Sequence, residues 1–320
     1  TWLDRGMVLK AQGKYPLAAI DFREAIALNP KLATAHFNIG LVFYAMNDFK
    51  LALKGYDKAI ELNDQEALWF VSRGSARLGL SDFDGARTDY EQAVSLDPGL
   101  SDAYIGLSNL ALIEQDFDEA YRQADTALSL QPKNAMALNA RGWILFKQDK
   151  VEDAIYDLTR AIRYAPRLSL AYGNRGVCYV KQNDFDKALA DHTEHIKLDP
   201  KSPFALSNRA VAWFGKGDFK RAKSDFEAAE KIAPDVDEAL NGYAWFLATC
   251  PDESFRDGAL AVKKAEQACK LSDYKDWYQL DTLATAHAEL GKFDDAVKWE
   301  EKALAIAPKN KQAFCQEQLD

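Results

Sequence analysis

Apolar residues fall along this chain in short runs separated by polar turns. Residues 169–200, SLAYGNRGVCYVKQNDFDKALADHTEHIKLDP, hold two helix-forming runs joined by a polar turn and closed by Pro200. The same template recurs from end to end. Ala188 has equivalents at Ala18, Ala52, Ala86, Ala120, Ala154 and Ala222, each 34 residues from the next. Ala296 lies 74 residues beyond Ala222, one interval of 34 and one of 40. A repeat this regular predicts a stack of helical hairpins before any site is considered.

Each part of the template has a physical reason. A small residue falls twelve positions before the alanine, at Gly6, Gly40, Gly74, Ser108, Gly142, Gly176 and Ala210. Small residues let two helix backbones approach closely. The turn usually reads Asp then an aromatic, as in Asp48-Phe49, Asp82-Phe83, Asp116-Phe117, Asp184-Phe185 and Asp218-Phe219. Aspartate there caps the second helix, and the ring plugs the gap at the turn. The second helix stops near Pro30, Pro98, Pro132, Pro166, Pro200, Pro234 and Pro308, with Asp64 taking the proline position in the second repeat. Proline cannot continue a helix.

On these residues the chain resembles the tetratricopeptide repeat (TPR) family, which has a 34-residue period, a small-residue pair, an aromatic turn and a closing proline. The resemblance implies an all-α, right-handed superhelical solenoid of antiparallel helix pairs, in which each unit contacts mainly its neighbours. The repeats are read as 1–32, 33–66, 67–100, 101–134, 135–168, 169–202, 203–236, 237–276 and 277–310, forming one continuous solenoid. The eighth carries six extra residues in a Pro- and Asp-containing loop at residues 249–258, a trait of bacterial-type members. The tail, 311–320, reads as a capping helix or the first helix of a further repeat. The chain starts inside a first helix without an initiator Met, which points to a fragment or a processed form.

Composition narrows the partners. A net charge of −9 argues against nucleic acid, whose phosphates need a basic surface. No run approaches the 18 apolar residues of a membrane-spanning helix, so direct membrane insertion is not expected. The four cysteines, Cys178, Cys250, Cys269 and Cys315, have no zinc spacing and favour a reducing, cytoplasmic compartment. Cys250 and Cys269 flank the irregular repeat, which leaves a disulfide between them open. No Gly-rich phosphate loop or nucleophile elbow occurs, so no cofactor and no catalytic role are expected.

One internal comparison stands out. The residue before the small position is Arg5, Arg73, Arg141, Arg175 or Arg209 in five repeats. Sixteen residues later the same repeats carry Asp21, Asp89, Asp157, Asp191 and Asp225. Repeats two and four lack both partners, with Ile39 and Gly55, and Leu107 and Gln123. Joint presence and joint absence predict a bidentate pair bridging the two helices of a repeat, setting their register. His192 and His195, three apart, are read as satisfied core histidines, and no third metal ligand accompanies them.

In the family the first helix of each repeat lines the concave face. The resemblance places Asn38, Asn174 and Asn208 at one equivalent site there, with Asn139 and Asn241 one position earlier. Asn109, Trp143 and Trp245 lie a turn further along, and Phe37, Tyr44, Phe146, Phe204 and Phe214 complete the inner rows. Asparagine is unfavourable inside a helix, but its amide both donates and accepts and so suits an extended peptide backbone. The basic clamp that family members use for an acidic chaperone tail is largely missing, since Asn139, Trp143, Asn174, Phe204 and Asn208 occupy its positions. The expectation is a protein-interaction scaffold that takes a neutral peptide or a partner helix. Two alternatives stand beside it: the substrate-docking arm of a larger enzyme resembling protein O-glycosyltransferases, and a structural assembly unit that oligomerises.

Overall fold

The computed structural model describes residues 1–319, so the last residue of the anticipated tail, Asp320, lies outside the described residues. Those residues form two compact units, the first Thr1–Tyr164 and the second beginning at Ala165. The division falls between the fifth and sixth helix pairs, where the repeat spacing alone anticipates one continuous series. The first unit contains α1 (Trp2–Ala11), α2 (Tyr15–Leu28), α3 (Ala33–Ala45), α4 (Phe49–Leu62), α5 (Ala67–Gly79), α6 (Phe83–Leu96), α7 (Ser101–Ile113), α8 (Phe117–Leu130), α9 (Ala135–Lys147) and α10 (Val151–Tyr164). The second contains α11 (Ser169–Lys181), α12 (Phe185–Leu198), α13 (Pro203–Lys216), α14 (Phe219–Ile232), α15 (Asp237–Thr249), α16 (Gly258–Leu271), α17 (Trp277–Glu289), α18 (Phe293–Ile306) and α19 (Lys309–Leu319). No strand occurs among the described residues. No helix among them is long and apolar enough to cross a membrane.

Odd-numbered helices are the first of each pair and even-numbered the second, up to α18. In each unit, every pair packs internally and then on the next pair. Within each unit, successive first helices also touch one another, as in α3, α5, α7 and α9, while successive second helices make no comparable contact. The first helices therefore form the inner side of each stack.

The small first-helix position has a specific use. A Cβ added at Gly40 would come within 2.7 Å of the Tyr56 ring, and one at Gly74 within 2.8 Å of Tyr90. Gly6 faces Phe22, Gly142 faces Leu158 and Gly176 faces His192 in the same way. The side chain sixteen residues on thus lies across the bare backbone of its partner helix. Repeat four inverts the sizes. Ser108 faces the side of α8 that carries Ala124, and its hydroxyl donates to the Ala120 carbonyl at 2.8 Å. In repeat two, Gly55 brings the two backbones together, since a Cβ there would meet Gly40 N and the His36 carbonyl at 2.8 Å.

The turns are held by side-chain caps. Asp48, Asp82, Asp116, Asp184 and Asp218 accept from the backbone N–H three residues on, at 3.0–3.3 Å. One residue earlier the chain turns through positive φ at Asn47, Ser81, Gln115, Asn183 and Gly217. The turn rings Phe49 and Phe185 reach the following first helix, against Gly79 and Gly215.

The eighth hairpin's longer loop contains a 3-10 turn, Glu253–Phe255. Phe255 packs against Phe219 and Phe246 at centroid distances of 6.0 and 6.3 Å, and Asp257 caps α16. The insertion thus extends the aromatic core of the second unit. The four cysteines are buried and free, so Cys250 and Cys269 do not form the disulfide the sequence left open.

Candidate functional site

A cavity of about 400 Å³ opens on the first-helix side of the first unit, between α3 and α9. Its apolar wall includes Leu41, Leu68, Val71, Ile105 and Met136. Its polar groups are the phenols of Tyr44, Tyr56 and Tyr90, the hydroxyls of Ser72 and Ser75, Asn109 and the Asp102 carboxylate. The opening follows from the repeat register. Positions equivalent to Asn38 are Ser72 in α5, Gly106 in α7 and Ala140 in α9. Three small residues in succession leave space, and Tyr56 and Tyr90 from the second helices reach it past Gly40, Gly74 and Gly106.

Tyr56 is fully buried and its hydroxyl has no hydrogen-bond partner. The Tyr90 hydroxyl lies 3.2 Å from the Ser75 hydroxyl. Burial raises both phenols above their ordinary range, Tyr90 to about 12 against the opposing Ser75 bond, and Tyr44 adds to the rise of each. All three tyrosines line the cavity, and burial keeps their phenols neutral at physiological pH. Asp102 is exposed at the edge and forms no ion pair among the described residues. Leu68 and Met136, at the register positions before and after it, are about half exposed.

The arginine–aspartate positions pair within their own repeats. Arg5 Nε and Nη2 donate to Asp21 at 2.6 Å each. Arg73 holds Asp89 at 2.7 Å, Arg141 holds Asp157 at 2.6 Å, Arg175 holds Asp191 at 2.8 Å and Arg209 holds Asp225 at 2.7 Å. Arg73 also reaches Asp57 of the preceding repeat at 2.9 Å, and Arg141 reaches Asp125 at 2.6 Å. Sequence spacing did not anticipate this second bridge, which ties adjacent hairpins together.

Family models for tetratricopeptide repeats match residues 6–47, 33–65, 71–124, 107–166, 169–202 and 278–307. The chain is a tetratricopeptide repeat protein. No curated protein matches this TPR chain. Among solved structures, it is similar to one from the crystal structure of the APC/C hetero-tetramer Cut9–Hcn1, at 14% identity and a TM-score of 0.75. That match covers 95% of this chain and 58% of the other, so the TPR chain spans little more than half its length. It is also similar to human IFIT1, solved as a dimer with m7Gppp-AAAA, at 14% identity and a TM-score of 0.67, covering 96% of this chain and 82% of that one. A third likeness is to Pseudomonas aeruginosa PilF, with 19% identity and a TM-score of 0.53, covering 66% and 93%. At these identities the likeness shows the fold. TPR repeats serve in general as protein-interaction scaffolds, and that class applies here.

The TPR inner rows divide once their burial is known. Tyr44 and Asn109 line the cavity. Asn38 is half-buried, donates to the Thr34 carbonyl at 2.8 Å and accepts from Lys10 at 2.7 Å, bridging the first two repeats. Phe37 is a correction: it is buried between Tyr56 and Trp69, at centroid distances of 5.6 and 5.2 Å, and belongs to the core. Asn139 and Asn241 are also corrected, being 9% and 3% exposed rather than open to a ligand. All three sit one position before the Asn38 row. Turning about 100° around the helix axis separates that position from the half-buried Asn38 row, although the equivalent Val71 and Ile105 form part of the cavity wall.

Trp143 and Phe146 stack on each other at 5.1 Å, with Lys147 over the indole at 4.9 Å. In the second unit, Asn174, Asn208 and Trp245 are half-buried and Phe204 is exposed. Phe214 packs on Phe219 and Phe246. His192 and His195 are buried as anticipated, but not satisfied: both ring nitrogens of His192 and Nδ1 of His195 lack partners. Among the described residues no group of three His, Cys, Asp or Glu could hold a metal.

The site residues that sequence reasoning missed are Tyr56, Tyr90, Ser72, Gly106, Asp102, Leu68 and Met136. The break in the asparagine row at Ser72, Gly106 and Ala140 was the available signal.

Proposed function

We propose that the protein is a non-catalytic scaffold that takes an extended peptide, or a partner helix, across the first helices of its first unit. The observation that supports this reading is the cavity of about 400 Å³ at Tyr44, Asn109 and the two buried phenols. Its size falls in the range of ligand-binding clefts, and it combines an apolar wall with a few converging polar groups. Leu68 and Met136 stand half-exposed at its mouth, where apolar side chains of a partner find contact area. Within the same reading, Asn174, Asn208, Phe204 and Trp245 offer amide and apolar contacts on the second unit's own first helices. The arginine–aspartate pairs hold the helices in register and take no part in binding.

Comparative capture from a lysate of the source organism tests this. Wild-type protein is run beside a Leu68→Glu/Met136→Glu variant and a Tyr156→Ser control, Tyr156 being exposed on α10. The three must share a melting temperature. The reading expects partners kept by wild type and the control but lost with the double variant. Identical captures from all three would remove the cavity from the account.

A further inference from the structure

The cavity has a chemical bias that its apolar wall alone does not convey. No lysine, arginine or histidine is among the residues lining it. Its polar groups are hydroxyls, one amide and one carboxylate. Every one of these can accept a hydrogen bond, and Asp102 adds a negative charge that forms no ion pair among the described residues. The Tyr56 hydroxyl is buried, lines the same cavity and is left without a partner. That hydroxyl is closed off from the opening, so the accepting groups offered to a ligand are those of Tyr44, Ser72, Ser75, Tyr90, Asn109 and Asp102.

Only some side chains match both halves of this lining. An aliphatic side chain fills the Leu68, Val71 and Ile105 wall but leaves the hydroxyls and Asp102 unanswered. A carboxylate meets Asp102 with the wrong sign. A lysine has a four-carbon stem that lies along apolar surface and an ammonium with three donors and no acceptor. Arginine's planar fork is suited to a bidentate carboxylate, whereas here the acceptors are spread over separate hydroxyls and one acid.

We infer that the cavity is a lysine-recognition subsite, seating the stem of a partner peptide's lysine on Leu68, Val71 and Ile105 and its ammonium on Asp102 and the tyrosine and serine hydroxyls. This rests on the peptide-binding reading above and narrows it to a class of ligand. The flanking row positions, Leu68 and Met136, set the neighbourhood of that lysine as apolar.

A displayed library of random dodecapeptides, selected on the intact chain, supplies the probe. The strongest binder is resynthesised with its lysine replaced by norleucine, which keeps the stem and removes the charge. Both peptides are titrated against wild type, Asp102→Asn and Leu68→Glu/Met136→Glu. Loss of one charge-assisted contact corresponds to roughly tenfold in affinity. The expected result is a shared lysine among selected peptides, a roughly tenfold loss with norleucine on wild type, and little further loss with norleucine on Asp102→Asn. Selected peptides that share no lysine, or a norleucine penalty that Asp102→Asn leaves unchanged, would overturn the subsite. If such peptides still fail to bind Leu68→Glu/Met136→Glu, the groove reading stands and only the lysine assignment falls. If they bind that variant normally, both fall.

Discussion

A single register position shows how one side chain can be tuned or left strained in this fold. Phe22, Tyr56, Tyr90, Leu158, His192 and Phe226 are equivalent, and the first five each cover the glycine of their partner helix. Histidine at that position has two ring nitrogens without partners. Burial, then His195 and Arg209 nearby, hold His192 at about 3, below its ordinary 6.5. The sign follows directly. Between pH 6.5 and about 3 the unfolded chain takes up a proton at His192 that the folded chain refuses, so stability falls as pH falls through that window. His192→Phe, matching Phe22 and Phe226, should raise the melting temperature and flatten its decline below pH 6.5. Thermal melts of both proteins across that range check this, and parallel pH profiles would contradict it. The burial of His192 was legible, because its equivalents are aromatic or aliphatic. Its lack of partners was not, since partners come from other helices at separations the sequence does not reveal.

Between elements, the arginine–aspartate pair bridges the two helices of a repeat. Its geometry was legible because the two residues occur and vanish together, sixteen apart. Arg209→Leu leaves the Asp225 carboxylate, whose side chain is 10% exposed, without its guanidinium. That should cost about 3 kcal/mol in chemical denaturation, the low end for a buried pair because Arg209 is partly exposed. Arg209→Leu/Asp225→Gln copies repeat four, which carries Leu107 and Gln123, and should recover most of the loss. A double variant as unstable as the sum of the single changes would show that the pair has no coupling. The turns were only partly legible. Aspartate caps were readable from Asp-aromatic pairs, but the left-handed residue before them was obscured. Gly13, Gly217 and Gly291 mark it plainly, while Ser81, Gln115 and Asp149 adopt the same positive φ without glycine's freedom. In the eighth repeat that turn is replaced by the longer loop, whose aromatic contacts with Phe219 and Phe246 could not be read from its Pro and Asp content.

At the scale of the molecule, the period of 34 made the helical hairpins legible from Ala18 to Ala296, because a repeated core position constrains every unit alike. The face a partner uses is encoded in positions that do not repeat, and there the reading divided. Rows one residue apart differ in burial, so Asn38, Asn174 and Asn208 are half-buried while Phe37, Asn139 and Asn241 are buried; Tyr44 and Asn109, further along α3 and α7, lie at the cavity. What the sequence concealed was a deletion of bulk, at Ser72, Gly106 and Ala140, that opens space for second-helix tyrosines. The most direct test of the account is a crystal structure of the chain with its strongest selected dodecapeptide. The account predicts an extended or helical ligand across α3, α5, α7 and α9, with one side chain in the cavity beside Tyr56 and Asp102. A ligand seated on the second helices or on the eighth-repeat loop, with the cavity empty, would contradict it.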